Sequence, residues 1–251
     1  MLFENKKVLV TGAGRSIGAA IAIGFAKAGA DVMLTYRHNQ SGIEDTVQQA
    51  VTYGHVVKTL QADFTTNAAV KACAEHVLSQ FGVPDIVINN AAMNARSRFL
   101  DIDIDDFAQL LQVNTLAPFY LSQCLVKAMI ADQIKGHIIN ISSIAGTTTL
   151  ARGIAYATSK AALNKWTKNA ALDLASHGIR VNAVAPGAIQ AGMNATTAQE
   201  NPEGWQTSLS RIPLGRAGRP QDIADMVLFL ASDAADWVTG KVYEVDGGQV
   251  G

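Results

Sequence analysis

Tyr156 and Lys160 stand four residues apart in the run Tyr156-Ala157-Thr158-Ser159-Lys160, and Ser143 lies thirteen residues before the tyrosine. On a helix, residues i and i+4 share a face, so the phenol and the ammonium would point the same way. A free phenol titrates near pH ~10 and is a poor proton donor or acceptor at neutral pH. A cation held beside it favours the phenolate and brings the pKa toward the working range. That is the chemistry of exchanging a proton with an alcohol or a ketone. Taken alone, Y-x-x-x-K also describes many solvated helix faces, so the elements around it must decide.

Length and composition bound those elements. The chain has 251 residues, 49% hydrophobic and 16% charged, with a net charge of −1. One α/β domain can fill that length, and the composition is globular with ample core. Near-neutral charge argues against a nucleic-acid partner, which needs a basic patch. The start, Met1 to Lys7, runs straight into an apolar strand pattern without the regions of a signal peptide. Uncharged stretches such as Ser16 to Ala26 are too short and too rich in glycine and alanine to cross a bilayer. A soluble cytoplasmic protein with no membrane partner is expected. Cys73 and Cys124 fall in apolar helical contexts without metal-type spacing, which predicts buried free thiols and no metal site.

Short β-branched runs alternate with longer segments of helical period. The pattern predicts strands at 7–11, 31–36, 56–62, 85–89, 137–142, 180–185 and 241–245. Helices are predicted at 17–28, 43–53, 68–81, 105–131, 156–177 and 221–231. Val87-Ile88 and Ile138-Ile139 are apolar on consecutive residues, the mark of a strand buried on both faces. The expectation is a single-domain α/β fold of Rossmann type: a doubly wound, seven-stranded parallel sheet with helices on both faces. Ligands of such sheets lie at the carboxyl ends of the strands, near the reversal of strand order. The stretch from Gly187 to Pro220 reads as one long irregular connection, with a substrate lid at about 188–213.

The first predicted strand ends in Thr11-Gly12-Ala13-Gly14-Arg15-Ser16-Ile17-Gly18. Glycines there let the backbone turn tightly and approach a pyrophosphate seated on the amino end of the next helix. The second strand ends in Tyr36-Arg37-His38, where an acidic residue would hold an NAD ribose. Arg37 and Arg15 instead suit a 2′-phosphate, because arginine binds phosphate in bidentate fashion. NADP(H) is therefore expected over NAD(H).

These elements together resemble the short-chain dehydrogenase/reductase family over essentially the whole chain. The family's cofactor turn T-G-x-x-x-G-x-G appears here with Ser16 in place of the middle glycine, followed by Ile17 and Gly18. Asp63, followed by Phe64, matches the family's aspartate near the adenine, and Asn89-Asn90-Ala91-Ala92 its N-N-A-G stretch. Asn114 matches the helix asparagine, and Ser143 has the family's spacing to Tyr156. Pro186-Gly187, with Ile189 close behind, matches the P-G turn that flanks the nicotinamide. Ala191 replaces the usual threonine, and Asp246-Gly247-Gly248 matches the carboxy-terminal signature.

The resemblance implies hydride transfer between NADP(H) and a carbonyl or secondary alcohol, with Ser143, Tyr156, Lys160 and Asn114 as the catalytic set. It implies that Tyr156 transfers the proton, that Lys160 lowers the tyrosine pKa and binds the nicotinamide ribose, and that Asn114 holds a water linking Lys160 to solvent. Cofactor contacts are expected from Gly12, Gly14, Arg15, Ser16, Ile17, Gly18, Arg37, Asp63, Phe64, Asn90, Ala91, Tyr156, Lys160, Pro186, Gly187 and Ile189. For the substrate, Asn94, Arg96, Arg152, Asn194 and Trp205 suggest a small polar ketone, a polyol or a sugar, as in bacterial glucose-type dehydrogenases. The alternative is a 3-oxoacyl-(acyl-carrier-protein) reductase. Against it, Asp132 and Asp173 stand where cations would greet that acidic carrier. An NADPH-binding regulator without catalysis is the alternative of another class, and the complete Ser/Tyr/Lys set argues against it. Apolar residues around several faces of the two long helices, such as Leu110, Phe119, Leu163 and Trp166, point to an oligomer interface, and the family is commonly tetrameric.

Overall fold

Strand residues that are apolar in succession make the centre of the molecule. The computed structural model describes residues 1–95, 97–149, 153–191 and 202–249. Seven strands pair in parallel: β1 (Lys7–Val10), β2 (Asp31–Tyr36), β3 (Val57–Gln61), β4 (Ile86–Asn89), β5 (His137–Ile141), β6 (Arg180–Pro186) and β7 (Val242–Val245). Their order is β3-β2-β1-β4-β5-β6-β7, so the winding reverses between β1 and β4. Every residue of β4 and β6 is buried. On β1, Val8 and Val10 enter one core while Leu9 enters the other, because successive side chains of a strand leave on opposite faces.

Eight α-helices occur among the described residues: α1 (Ser16–Lys27), α2 (Gln40–Ala50), α3 (Asn67–Gln80), α4 (Ile104–Leu111), α5 (Ala117–Ala131), α6 (Ile154–Leu174), α7 (Pro202–Leu209), which buries no residue, and α8 (Pro220–Ala231). Phe25 of α1 and Val227 of α8 pack into the core that holds Val8 and Ile139. Val77 of α3, Leu125 of α5 and Ala171 of α6 pack into the core that holds Leu9 and Ile138.

The structure departs from the sequence expectations at three places that shape the cleft. The single helix expected over 105–131 is interrupted by a π turn, Gln112–Leu116, which contains Asn114. Pro118 follows in the first turn of α5, where a missing N–H costs nothing. Helix α2 begins earlier than expected because Asn39 caps it, accepting from the Gly42 N–H at 3.2 Å. The same side chain donates to the Gly14 carbonyl at 2.8 Å and ties the helix start to the glycine turn. The stretch from Gly187 to Pro220, read as irregular, contains α7. Its far end is pinned at α8, where the Asp222 carboxylate takes hydrogen bonds from Arg216 at 2.6 Å and from the Arg219 guanidinium and backbone at 2.9 and 2.7 Å. The Arg216 and Arg219 hydrogen bonds hold that carboxyl well below the usual carboxylate range. No helix among the described residues is long and apolar enough to cross a membrane.

Candidate active site

The glycine turn between β1 and α1 is built for close backbone approach. Gly12 has φ +67°, and a Cβ there would lie 2.9 Å from the Ala91 Cα. A Cβ on Gly18 would run into the Gly12 carbonyl. The Asn90 amide clamps the turn from the end of β4, donating to the Thr11 and Gly12 carbonyls at 2.9 and 3.0 Å. Ser16 sits at φ +54°, in the left-handed region where the related motif has glycine. Arg15 is the N-cap of α1, with no side-chain cap hydrogen bond and no acidic residue in the first turn. The amino end of α1 therefore keeps its N–H donors and its positive pole available for an anion.

At the ends of β2 and β3, the Arg37 Nε donates to the Asp63 carboxylate at 3.0 Å. Gln61 donates to the Arg37 carbonyl at 2.8 Å, and Thr65 N–H to the other Asp63 oxygen at 3.0 Å. Burial works to raise the Asp63 pKa, but the Thr65 hydrogen bonds and Arg37 outweigh it and the carboxyl ends below its usual value. Arg15 makes no ion pair among the described residues.

Ser143, Tyr156 and Lys160, the residues expected to move the proton, converge at the end of β5 and the start of α6. Ser143 follows β5 and caps a short 3₁₀ turn, Ile144–Gly146, accepting from the Ala145 N–H at 3.1 Å. It lines the same cleft as Tyr156. Lys160 is 2% exposed, and its ammonium donates to the Ile141 carbonyl at 2.8 Å. It lies 5.7 Å from the Tyr156 ring centre. Burial alone pushes the Lys160 ammonium down to about 7. The phenol behaves otherwise than the sequence reading expected. Burial raises the Tyr156 pKa, and the Ser143 hydrogen bond only partly opposes that rise. The side chain drawing it down is thus Ser143, with Lys160 directed at a backbone carbonyl.

Asn114 does not line the cleft. Its side chain accepts from the Met93 N–H at 2.8 Å and donates to the Met93 carbonyl at 2.9 Å and to the Ser159 hydroxyl at 3.0 Å. The π turn that carries Asn114 lets this side chain reach both the β4 exit and α6.

One cleft of about 1050 Å³ joins these parts along the carboxyl ends of the strands. Every residue expected to contact the cofactor lines it, from Gly12 and Arg37 at one end to Ile189 at the other, and so do Ser143, Asn94 and Trp205. Arg96, Arg152 and Asn194 lie outside the described residues. Met93, Ala188, Ser208 and Gln249 also line the cleft and were not read from the sequence. Gln249 follows the Gly247-Gly248 pair, whose left-handed backbone turns the chain end back toward the cleft. That glycine pair was its only sequence signal. Among the described residues, no group of three or more His, Cys, Asp or Glu side chains gathers as a metal site. An elongated cleft with backbone donors at its middle, cations at one end and hydroxyl groups at the other fits a dinucleotide with room for a small substrate.

A family model described as enoyl-(acyl carrier protein) reductase matches residues 12–249. The chain is 32% identical to glucose 1-dehydrogenase 2 of Bacillus subtilis, over 97% of this chain and 94% of that protein. It is 36% identical to the 3-oxoacyl-(acyl-carrier-protein) reductase of Thermotoga maritima, over the full length of both. Among solved structures, 7 alpha-hydroxysteroid dehydrogenase complexed with NADH and 7-oxo glycochenodeoxycholic acid superposes with a TM-score of 0.92 at 36% identity, covering 99% of this chain and 95% of that one. A putative 2-deoxy-d-gluconate 3-dehydrogenase from Agrobacterium tumefaciens with bound NADP gives 0.90 at 33% identity, covering 98% and 96%. A fold, a glycine turn and a Ser/Tyr/Lys cluster at the expected end of the sheet accompany that likeness along nearly all of its length, and the chain belongs to the short-chain dehydrogenase/reductase family.

Proposed function

We propose that the protein interconverts a carbonyl and a secondary alcohol with NADP(H), using Ser143, Tyr156 and Lys160 as its acid–base group. The observation that carries this reading is the meeting of Ser143, Tyr156 and a buried Lys160, its ammonium 5.7 Å from the Tyr156 ring centre, in the same cleft as the glycine turn. When bound, the nicotinamide supplies or accepts the hydride. As a carbonyl is reduced, negative charge grows on its oxygen. The Ser143 hydroxyl and the Tyr156 phenol are both placed to donate to that oxygen, and one such donor is typically worth about 3 kcal/mol. Tyr156 then passes its proton to the oxygen. Lys160, with its ammonium near 7, holds a proton loosely enough to exchange with the phenol and is a cation beside the phenolate that remains. Asn114 acts as a positioning residue, because its contact with Ser159 fixes the helical turn that presents Lys160.

Two features support NADP(H) over NAD(H). Asp63 occupies only the Nε of Arg37, which leaves its terminal nitrogens for a phosphate, and Arg15 beside the turn has no ion-pair partner among the described residues. Asn94, Ser208 and Trp205 at the substrate end, together with the sugar-type relatives, favour a small polar ketone, polyol or sugar. Residues 188–213, with α7, serve as its lid. Reduction of 3-oxoacyl groups is the second reading, carried by the likeness to the Thermotoga maritima reductase. The exposed Asp132 and Asp173 weigh against an acidic carrier. A cytoplasmic homotetramer completes the proposal, supported by Leu116, Phe119 and Leu172, which α5, α6 and the π turn leave exposed.

Four outcomes are expected. Tyr156→Phe lowers kcat by about 10²- to 10⁴-fold while NADPH affinity measured by fluorescence titration stays within a few fold. Wild-type turnover in that variant would contradict the assignment. Arg37→Ala lowers kcat/KM for NADPH by about ten- to a hundred-fold and leaves NADH nearly unchanged; equal losses on the two cofactors would refute a 2′-phosphate contact.

The third outcome concerns Lys160. Its folded pKa lies below the unfolded value, so between about 7 and the ordinary lysine value of 10.5 the unfolded state binds more protons. The cost of burying Lys160 is therefore full below about 7 and is relieved as pH rises through that window. Lys160→Met should unfold at higher urea than wild type at neutral pH, with the gap closing toward alkaline pH. A gap that widens with pH would show the sign to be wrong. Finally, sedimentation equilibrium should give four chains per particle, and Leu172→Glu should yield smaller species; a monomeric wild type excludes the tetramer.

A further inference from the structure

Gln249 comes to the reaction end of the cleft from the far end of the chain, and no element of the acid–base group accounts for it. Gly247 and Gly248 have φ of +71° and +79°, which lets the chain double back after β7. Gly248 N–H donates to the Asp246 carboxylate at 3.0 Å and holds that reversal. The reversed segment lies against the last part of the proposed lid. Leu214 N–H donates to the Gly247 carbonyl at 3.2 Å, and Cβ atoms added to Gly247 and Gly248 would meet Ile212 and Pro213 at 2.7 and 3.3 Å. Gln249 thus stands between Ile212 and Pro213 on one side and the Pro186–Ile189 turn on the other.

Its amide orientation follows from one hydrogen bond. The Ala188 N–H donates to Gln249 Oε1 at 3.1 Å. Only the oxygen of a carboxamide can accept that proton, so the amide NH₂ must be on the other side. No partner for this NH₂ occurs among the described residues. The side chain is half-buried and lines the cleft together with Ser143, Tyr156 and Trp205. Two N–H donors, oriented by a backbone anchor and lacking an acceptor among the described residues, belong to a side chain that lines the space where a substrate is expected. Gly187 makes the approach possible, since a Cβ there would lie 2.9 Å from Gln249 Oε1.

We propose that Gln249 is a specificity-determining residue that donates to an oxygen substituent of the substrate other than the reacting carbonyl. This rests on the carbonyl–alcohol reading above. Ser143 and Tyr156 take the reacting oxygen, and Gln249 takes a neighbouring hydroxyl or keto oxygen. A site that offers a half-buried donor discriminates against an analogue lacking the acceptor, because the donor is then left without a partner. The ligand class is a hydroxy ketone, a diketone or a sugar, as opposed to a plain ketone.

Acetoin and butanone differ by a single hydroxyl group and are the probes. With NADPH, wild type should reduce acetoin with the higher kcat/KM. Gln249→Met should lower kcat/KM for acetoin by about tenfold and leave butanone within about twofold. Gln249→Glu retains an acceptor for the Ala188 N–H but has no N–H of its own. It should lose the same selectivity while the KM for NADPH stays near the wild-type value. Equal losses on both ketones, or unchanged selectivity in both variants, overturn the assignment. So does a change confined to NADPH affinity, which would make Gln249 a nicotinamide contact. A wild type that binds NADPH and reduces neither probe overturns the small-polar-carbonyl reading as well, so the two failures are distinguishable.

Discussion

The Lys160 ammonium, held almost out of water on the Ile141 carbonyl, is the constraint around which the rest is arranged. A lysine left without water or an acid is costly to keep charged, and its lowered pKa expresses that cost. The contact joins the end of β5 to the second turn of α6, so the strand that delivers Ser143 and the helix that delivers Tyr156 are fixed to each other by it. One covalent stretch of helix therefore sets the spacing of the phenol and the ammonium, and the Ile141 hydrogen bond holds the ammonium in place.

A buried polar chain beneath the site transmits that order across the sheet. Asn89 on β4 donates to the Asn140 side chain on β5 at 2.8 Å and to Ser122 on α5 at 2.9 Å. Asn140 in turn donates to Thr167 on α6 at 2.8 Å. The amide donors of Asn89 and Asn140 are paired at this depth, which specifies register where apolar packing alone would permit slippage, while Asn89 Oδ1 has no hydrogen-bond partner among the described residues. The next residues along β4, Asn90 and Ala91, are the ones that clamp the glycine turn. The glycine-turn end of the cleft and the end that holds Ser143, Tyr156 and Lys160 are thus tied through the floor of a single sheet.

Much of this was legible from residue order. Consecutive apolar residues in Val87-Ile88 and Ile138-Ile139 gave doubly buried strands, and glycines after the first strand gave the turn. The limits of legibility were also physical. Nothing local in 105–131 marks the π turn, since an apolar helical period continues through it, and its reason lies in the contacts of Asn114 with Met93 and Ser159. The capping of α2 by Asn39 depends on Gly14, twenty-five positions earlier. The phenol of Tyr156 was read from its lysine partner alone, yet its environment is dominated by burial, which no neighbour in sequence reports.

By itself the sequence determined the alternation of strands and helices, the chemistry available at Ser143, Tyr156 and Lys160, and the cations available at Arg15 and Arg37, because each is written in residue types at short spacing. Tertiary structure alone decided that Asp63 occupies one edge of Arg37, that Lys160 turns to a carbonyl, and that a glutamine from the chain end enters the cleft beside Ala188. Those outcomes depend on desolvation and on the meeting of segments far apart in the chain, and neither quantity exists until the sheet has closed the distances between them.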